Sequence, residues 1–313
     1  MKKNVFIIGI TSQDGSYLAK LLLKKNYTIF GFTRSVNKKN LTNLNLLNIN
    51  GKIILKKYSN FNEVKHVIIK EKPKQIYYFA GQSSVINSFI NPVETYCSNL
   101  SILFSLLEFC RKKKLKINIF NSVSTDCFGN NKKICNEKTN FAPLSPYARA
   151  KALSYWLVKY YRENFGSFTV NGILSNHESP LRKDEFIIKK ISNYVKNFDG
   201  QKKLKIGNIN ISRDWGWAPD YVEAIYKMNS RKKKDDYIIA TGKSYSLKKI
   251  VKLFLKEKNI KWKFLSSNNK KFKRPSEIQH MKCDNTEIKK NLNWFPKNDI
   301  NAIVKKIYNN VFF

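Results

Sequence analysis

Over its first 174 residues the chain alternates short β-branched apolar runs with longer stretches of helical periodicity, and few folds accept that order. The apolar runs fall at residues 4–10, 28–32, 53–58, 75–80, 117–121 and 169–174. Helical patterns lie between them: from Gly15 to about Lys25, at 62–72 (stopped by Pro73), at 92–112 and at 146–164. Short runs dominated by β-branched and aromatic residues suit strands covered on both faces, as parallel strands between helix layers are. Strands alternating with helices at this spacing predict an α/β fold built on a doubly wound parallel sheet. In such sheets ligands bind beyond the carboxyl ends of the strands. Gly9, Arg34, Gln82, Ser124 and Ser175 all fall at those ends, so the site is expected there.

The first strand runs into Gly9-Ile-Thr11-Ser12-Gln13-Asp14-Gly15 and then a helix. Small residues let the backbone approach a pyrophosphate, and a helix N-terminus favours anions, so this is a candidate dinucleotide cradle of Rossmann type. Two glycines in a tight turn also occur without any ligand. At the end of the second strand stands Arg34 with no acid beside it, which suits a ribose 2′-phosphate and hence NADP rather than NAD. Further on, Tyr147 and Lys151 are four apart at the start of a helical pattern and share a face. An ammonium beside a phenol favours phenolate, so the Tyr147 pKa is expected to fall toward neutral. With a hydroxyl from Ser124, this set suits deprotonation of a substrate alcohol as a nicotinamide cofactor oxidises it. A surface tyrosine and a surface lysine are the plainer alternative, because the spacing is common.

Composition narrows the rest. The chain has 313 residues and is 42% hydrophobic, enough for one large α/β unit or two ordinary domains with a real core. Its formal charge of +37 steers anions, nucleotides included, toward the surface. The basic runs at 111–116, 231–234 and 270–274 lack interleaved aromatics, so they read as solvated faces and no specific nucleic-acid partner is expected. Cys97, Cys110, Cys127, Cys135 and Cys283 form no Cys-x-x-Cys pair, which suits reduced thiols in a cytoplasmic protein. The three histidines His66, His177 and His280 are far apart, and no metal site is expected. The N-terminus enters a strand pattern at once rather than a signal peptide, and no apolar run nears the roughly 18 residues of a membrane span.

After Leu174 the alternation loosens. Helices are expected at 184–198, 220–228, 246–257, 285–292 and 298–310, with strands at 203–206 and 237–240. This predicts residues 1–174 as a cofactor domain, rejoined by segments near 207–241. Residues 175–206 and 242–313 would form a smaller interleaved α/β domain over the carboxyl edge of the sheet.

Several stretches together resemble the extended short-chain dehydrogenase/reductase family, and within it the GDP-mannose 4,6-dehydratase branch. They are the Gly9–Gly15 turn, Phe79-Ala80-Gly-Gln82-Ser83-Ser-Val85, and Ser145-Pro-Tyr-Ala-Arg-Ala-Lys151. Beyond them lie Val170-Asn-Gly-Ile-Leu-Ser-Asn176-His177-Glu-Ser-Pro180, Arg213-Asp-Trp-Gly-Trp-Ala-Pro-Asp-Tyr-Val-Glu-Ala224 and Arg274-Pro-Ser-Glu277. The resemblance covers nearly the whole chain. It implies oxidation of a GDP-hexose at C4 by NADP, loss of water across C5 and C6, and hydride return to C6, with no net redox change. It assigns catalysis to Ser124, Asp126, Tyr147 and Lys151. It assigns NADP contacts to Gly9, Thr11, Ser12, Gln13, Asp14, Gly15, Arg34, Ala80, Gln82, Tyr147, Lys151 and His177. Ser83, Asn176, Lys189, Arg213, Arg274 and Glu277 would hold the nucleotide-sugar, the two arginines suiting a diphosphate. A homodimer or homotetramer in the cytoplasm is implied as well.

The chain also departs from the branch. Ser12 takes the middle glycine of the cradle, with a modest effect expected. Gly81 and Ser84 replace an alanine and a histidine. Leu181 breaks an arginine pair tied to tetramer contacts. Asp126 stands where the branch has glutamate, and a carboxylate drawn back by about an ångström costs on the order of a hundredfold in rate. A GDP-4-keto-6-deoxy-hexose reductase or a GDP-sugar 4-epimerase, which need no base there, therefore stands as the alternative. A non-enzymatic NADP- or polyanion-binding protein is the distant one.

Overall fold

The computed structural model describes residues 3–267, 269 and 275–313. Its first strand, β1 (Lys3–Ile8), shows why the sheet forms: Val5, Phe6, Ile7 and Ile8 are all fully buried, with helices on both faces. The elements that follow are α1 (Gln13–Lys24), β2 (Tyr27–Thr33), α2 (Thr42–Leu46), β3 (Ile54–Lys57), α3 (Phe61–Glu71) and β4 (Gln75–Tyr78). Next come α4 (Val85–Ile90), α5 (Pro92–Lys112), β5 (Asn118–Ser124), α6 (Pro146–Phe165) and β6 (Thr169–Leu174). The remainder comprises β7 (Asn176–Glu178), α7 (Ile187–Lys196), β8 (Leu204–Lys205), β9 (Ser212–Trp217), α8 (Ala218–Ser230) and β10 (Tyr237–Ile239). It closes with β11 (Ser244–Ser246), α9 (Leu247–Lys256), β12 (Leu265–Ser266), α10 (Thr286–Leu292) and α11 (Ile300–Tyr308).

Among the described residues, seven strands form one sheet in the order β10-β6-β5-β4-β1-β2-β3, each pair parallel. This is the doubly wound parallel sheet that the alternation predicts. The chain steps outward from β1 to β2 on one side and resumes with β4 on the other. That reversal opens the crevice where such sheets take ligands. Helices α1 and α8 cover one face through Leu18, Leu22, Val222 and Ile225. Helices α3, α5 and α6 cover the other through Val64, Ile68, Leu103, Leu107 and Val158.

A smaller layer stands over the carboxyl edge. In it β7 pairs parallel to β9, and β9 pairs antiparallel to β11. Its core is a cluster from α7, α9 and α11, with Ile188, Ile191, Ile250, Phe254, Ile303 and Ile307 spaced one or two turns apart on each helix. Within the 207–241 stretch, α8 and β10 pack on the large sheet, whereas β9 belongs to the small one. Ile288 and Leu292 of α10 also join the core of the large sheet. The chain thus crosses between the layers several times.

The predicted helices and long strands appear within a few residues of their expected ends. The fifth strand runs on to Ser124 because Ser122, Val123 and Ser124 continue in register with Gly172, Ile173 and Leu174. The short elements α2, α4, β7, β11 and β12 carry too few residues for a period to show.

Candidate active site

The cradle is built by backbone proximity. Gly9 has φ +93°, and a Cβ there would lie 2.9 Å from Ala80 N and from Phe79 C, so the turn after β1 presses against the end of β4. A Cβ on Gly15 would collide with the Gly9 carbonyl oxygen and stand 3.0 Å from Ile10 Cα, so α1 can start this close only with glycine. Ser12 is the N-cap of α1, its Oγ accepting from Gly15 N at 3.0 Å. The hydroxyl in place of the middle glycine therefore serves the helix. Thr11 lies beside Thr33, their hydroxyl oxygens 3.5 Å apart, and Arg34 is exposed at the end of β2. At the end of β4, Gly81 packs against Asn99, and Ser83 is exposed. Gln82 donates to Ser84 O at 2.8 Å, while its Oε1 is buried without a hydrogen-bond partner.

The candidate reacting groups gather at the end of β5. Ser145 caps α6 by accepting from Ala148 N at 3.1 Å, with Pro146 at the first helical position, and this sets Tyr147 in the first turn. Ser124 Oγ accepts from Asp126 N at 3.2 Å and caps a one-turn helix over Thr125–Phe128 that aims Asp126 at the same crevice. Cys127 Sγ donates to Ala148 O at 3.4 Å and fixes that turn against α6. Lys151 is buried, and its Nζ donates to Ser122 O at 2.9 Å. Ser124, Asp126, Tyr147 and Lys151 are thus brought together.

Their electrostatics differ from the expectation. Burial pushes the Tyr147 phenol up, the nearby Asp126 carboxylate adds to the rise, and the Ser124 side chain and the Arg182 cation work against it. The expected fall driven by Lys151 is not what the structure shows. The ammonium is tied to the Ser122 carbonyl, and burial pushes the lysine itself down to about 8. Among the described residues, a cation that does act on Tyr147 is Arg182, which the sequence alone does not single out. Its only local signal is its place at the end of the stretch around Asn176 and His177, and it acts through space.

Asp14 and His177, both expected as dinucleotide contacts, are each other's partners: His177 Nε2 lies 3.0 Å from both Asp14 oxygens, across 163 residues of sequence. Burial opposes both charges, yet the pair prevails, with His177 raised by Asp14 and Asp14 lowered chiefly by His177. Gln13 donates to His177 O at 3.1 Å and accepts from Ser179 Oγ at 2.8 Å. The first turn of α1 is thereby latched to the small layer. Leu181 is buried in the core cluster beside this latch rather than offered as a surface contact.

Of the residues expected on the nucleotide-sugar, Asn176 and Arg213 sit on the paired strands β7 and β9, with Asn176 in register with Trp215. Arg213 is buried, donating to Ser212 O at 2.9 Å. The segment holding Glu277 runs along β9, where Ser212 N donates to Gln279 O at 2.8 Å. It also reaches the loop between Asp126 and Tyr147, where Gln279 N donates to Asn130 Oδ1 at 3.0 Å. Lys189 stands on α7, donating to Pro180 O at 2.7 Å, and burial lowers its pKa. Arg274 lies outside the described residues.

A sequence profile described as GDP-mannose 4,6 dehydratase matches residues 6–307. GDP-mannose 4,6 dehydratase 1 of Arabidopsis thaliana is 34% identical over 318 residues, covering 97% of this chain and 88% of that protein. The Homo sapiens GDP-mannose 4,6 dehydratase is 33% identical over 339 residues, covering 97% and 90%. Among solved structures, a dTDP-glucose 4,6-dehydratase of Bacillus anthracis in complex with NAD superposes with TM-score 0.87 at 19% identity, covering 98% of this chain and 96% of that one. A UDP-glucose 4-epimerase of Thermotoga maritima with UDP-glucose also reaches 0.87 at 19% identity, covering 98% of both chains. At that identity the structural likeness speaks for the fold.

Proposed function

The chain belongs to the GDP-mannose 4,6-dehydratase family, and on that premise we propose that it removes water from a GDP-hexose, with GDP-mannose as the first candidate, to give a GDP-4-keto-6-deoxy-hexose. The observation that carries the reading is the meeting of Ser124, Asp126 and the Tyr147 phenol at the end of β5, two strands across the sheet from β1 and its Gly9–Gly15 turn. The close backbone approach at Gly9, the N-terminus of α1 and the partnerless Gln82 Oε1 suit a nicotinamide dinucleotide. When bound, that cofactor supplies the hydride acceptor at sugar C4 and the donor at C6. Arg34, exposed at the end of β2 and without a neighbouring acid, supports NADP over NAD.

The chain's own groups handle protons and position. Tyr147 takes the proton of the C4 hydroxyl, which Ser124 holds through a hydrogen bond. The 4-keto group acidifies the C5 hydrogen. Asp126 takes that proton and passes it to the hydroxyl leaving C6, so water departs. While Asp126 carries the C5 proton, the negative charge that opposes a Tyr147 phenolate is gone, and Ser124 and Arg182 then act unopposed by it. Arg213 would hold the diphosphate, with Asn176 on the adjoining strand β7 and Glu277 in the segment beside β9, and Ser83 and Lys189 would complete the nucleotide-sugar set.

The shorter reach of Asp126 keeps one rival, a reductase or 4-epimerase of the same family, which needs no C5 base. Incubation with GDP-mannose and NADP⁺ followed by mass spectrometry decides: a product lighter by one water without NADPH accumulation is expected. Unchanged GDP-mannose, with NADPH consumed on a 4-keto-6-deoxy substrate, would favour the reductase. Asp126→Asn is expected to abolish water loss while NADP⁺ binding persists. The same reading makes the protein a homodimer or homotetramer. Val93 and Phe104 of α5 and Leu153, Trp156 and Tyr160 of α6 lie exposed on neighbouring helices, which supports self-association. Five unpaired thiols support a reducing, cytoplasmic setting.

A further inference from the structure

One residue from Arg213 lies a fully buried carboxylate for which the reaction has no use. Asp214 Oδ1 accepts from Ser175 Oγ at 3.2 Å, from Thr241 N at 2.9 Å and from Thr241 Oγ1 at 2.8 Å. Its Oδ2 accepts from Gly242 N at 2.8 Å. Three segments meet on this one group: β9, the joint between β6 and β7, and the turn after β10. Burial raises its carboxyl to about 6 against the pull of those donors.

The network continues from there. The Ser175 hydroxyl gives its one proton to Asp214, so Tyr221 must donate in the 2.5 Å contact between Tyr221 Oη and Ser175 Oγ. The Tyr221 ring lies over Gly216, where any Cβ would strike it, and stacks on His177 with centroids 4.8 Å apart and planes at 23°. His177 Nδ1 is 2.7 Å from Ser175 O, and its Nε2 reaches Asp14 in the first turn of α1. A chain of bonded groups therefore runs from the Gly9–Gly15 cradle to the strand that carries Arg213.

We propose that Asp214 is a positioning residue that couples the dinucleotide cradle to the nucleotide-sugar arm, so that filling one site tightens the other. This rests on the nucleotide-sugar reading above. A ligand that orders one end of the chain lowers the entropy still to be lost at the other, and the coupling is reciprocal. Apolar packing would hold β9 in place as well, but it would not tie Ser175 and the 241–242 turn to a single acceptor.

The full chain is titrated with NADP⁺ by calorimetry, alone and with saturating GDP, a probe that cannot turn over. Wild type is expected to bind NADP⁺ about fivefold or more tightly with GDP present. Asp214→Asn leaves one donor facing Gly242 N, and Tyr221→Phe removes the hydroxyl while keeping the stacked ring. Both should bring the ratio to within about twofold of one, yet still bind each ligand alone. Because Tyr221→Phe preserves volume and stacking, it carries the test should Asp214→Asn fold poorly. Full coupling retained in Tyr221→Phe overturns the proposal, as does a wild type that binds GDP with no effect on NADP⁺. A wild type that binds no GDP overturns instead the nucleotide-sugar reading itself.

Discussion

Replacing Lys151 by methionine should abolish catalysis and yet leave the fold as stable as before, or more so, at neutral pH. Burial pushes this lysine from 10.5 down to about 8 in the folded chain. Between those values the unfolded chain binds more protons than the folded one, so stability rises with pH through the window from about 8 to 10.5. Below it both states are protonated and the full cost of the buried charge is present. At about pH 7 that cost is roughly 3 kcal/mol, and by about pH 9.5 it has fallen to roughly 1.5 kcal/mol. Methionine removes the charge at similar length but deletes the 2.9 Å bond to Ser122 O, whose loss costs about 1–3 kcal/mol. The net expectation is a variant between neutral and about 2 kcal/mol more stable near pH 7. Its advantage over wild type should shrink by about 2 kcal/mol on going to about pH 9.5. Urea unfolding followed by tryptophan fluorescence at both pH values measures the difference, and titrations common to the two proteins cancel. A difference that does not change with pH would refute the reasoning, and so would a variant several kcal/mol weaker near pH 7.

Three further outcomes are expected. Gly15→Ala forces a side chain into the Gly9 carbonyl and Ile10 backbone, so about 1–3 kcal/mol of stability and roughly tenfold or more in NADP⁺ affinity should be lost; calorimetry showing unaltered affinity would remove Gly15 from the cradle. Ser12→Ala should cost about 1 kcal/mol in a chemical melt because the Gly15 N–H loses its cap, whereas Ser12→Gly should cost only a few tenths; equal losses would mean that the hydroxyl does not act as a cap. Arg182→Met removes the cation that favours the Tyr147 phenolate, so the rate near neutral pH should fall by about tenfold and the pH profile move alkaline; a profile that superimposes on wild type would exclude that role.

The large sheet was legible because its strands are short, largely apolar runs and its helices keep one buried stripe, two patterns that sequence displays directly. The candidate site was legible in part: spacing places Tyr147 over Lys151, and strand-end logic places Ser124. What spacing cannot display is depth. Lys151 looks like an activator of Tyr147 only until its bond to Ser122 O and its burial are known; in the fold the phenol rises, and Arg182, 35 positions after Tyr147 in the numbering, opposes the rise. Strand β9 was invisible for a related reason. Its buried residues include Arg213 and Asp214, so the run lacks the apolar period that marks a strand, and only partners such as Ser175, Thr241 and Gly242 make that burial tolerable. The pairing of Asp14 with His177 joins two stretches that sequence reading treats as separate motifs. These misses share a location. Lys151, His177, Arg213 and Asp214 are all charged or polar and all buried, on or beside the strands that follow the carboxyl ends of the large sheet. Local rules fail where the fold holds chemistry it would not need for stability alone, so the positions that defeat the reading outline the site.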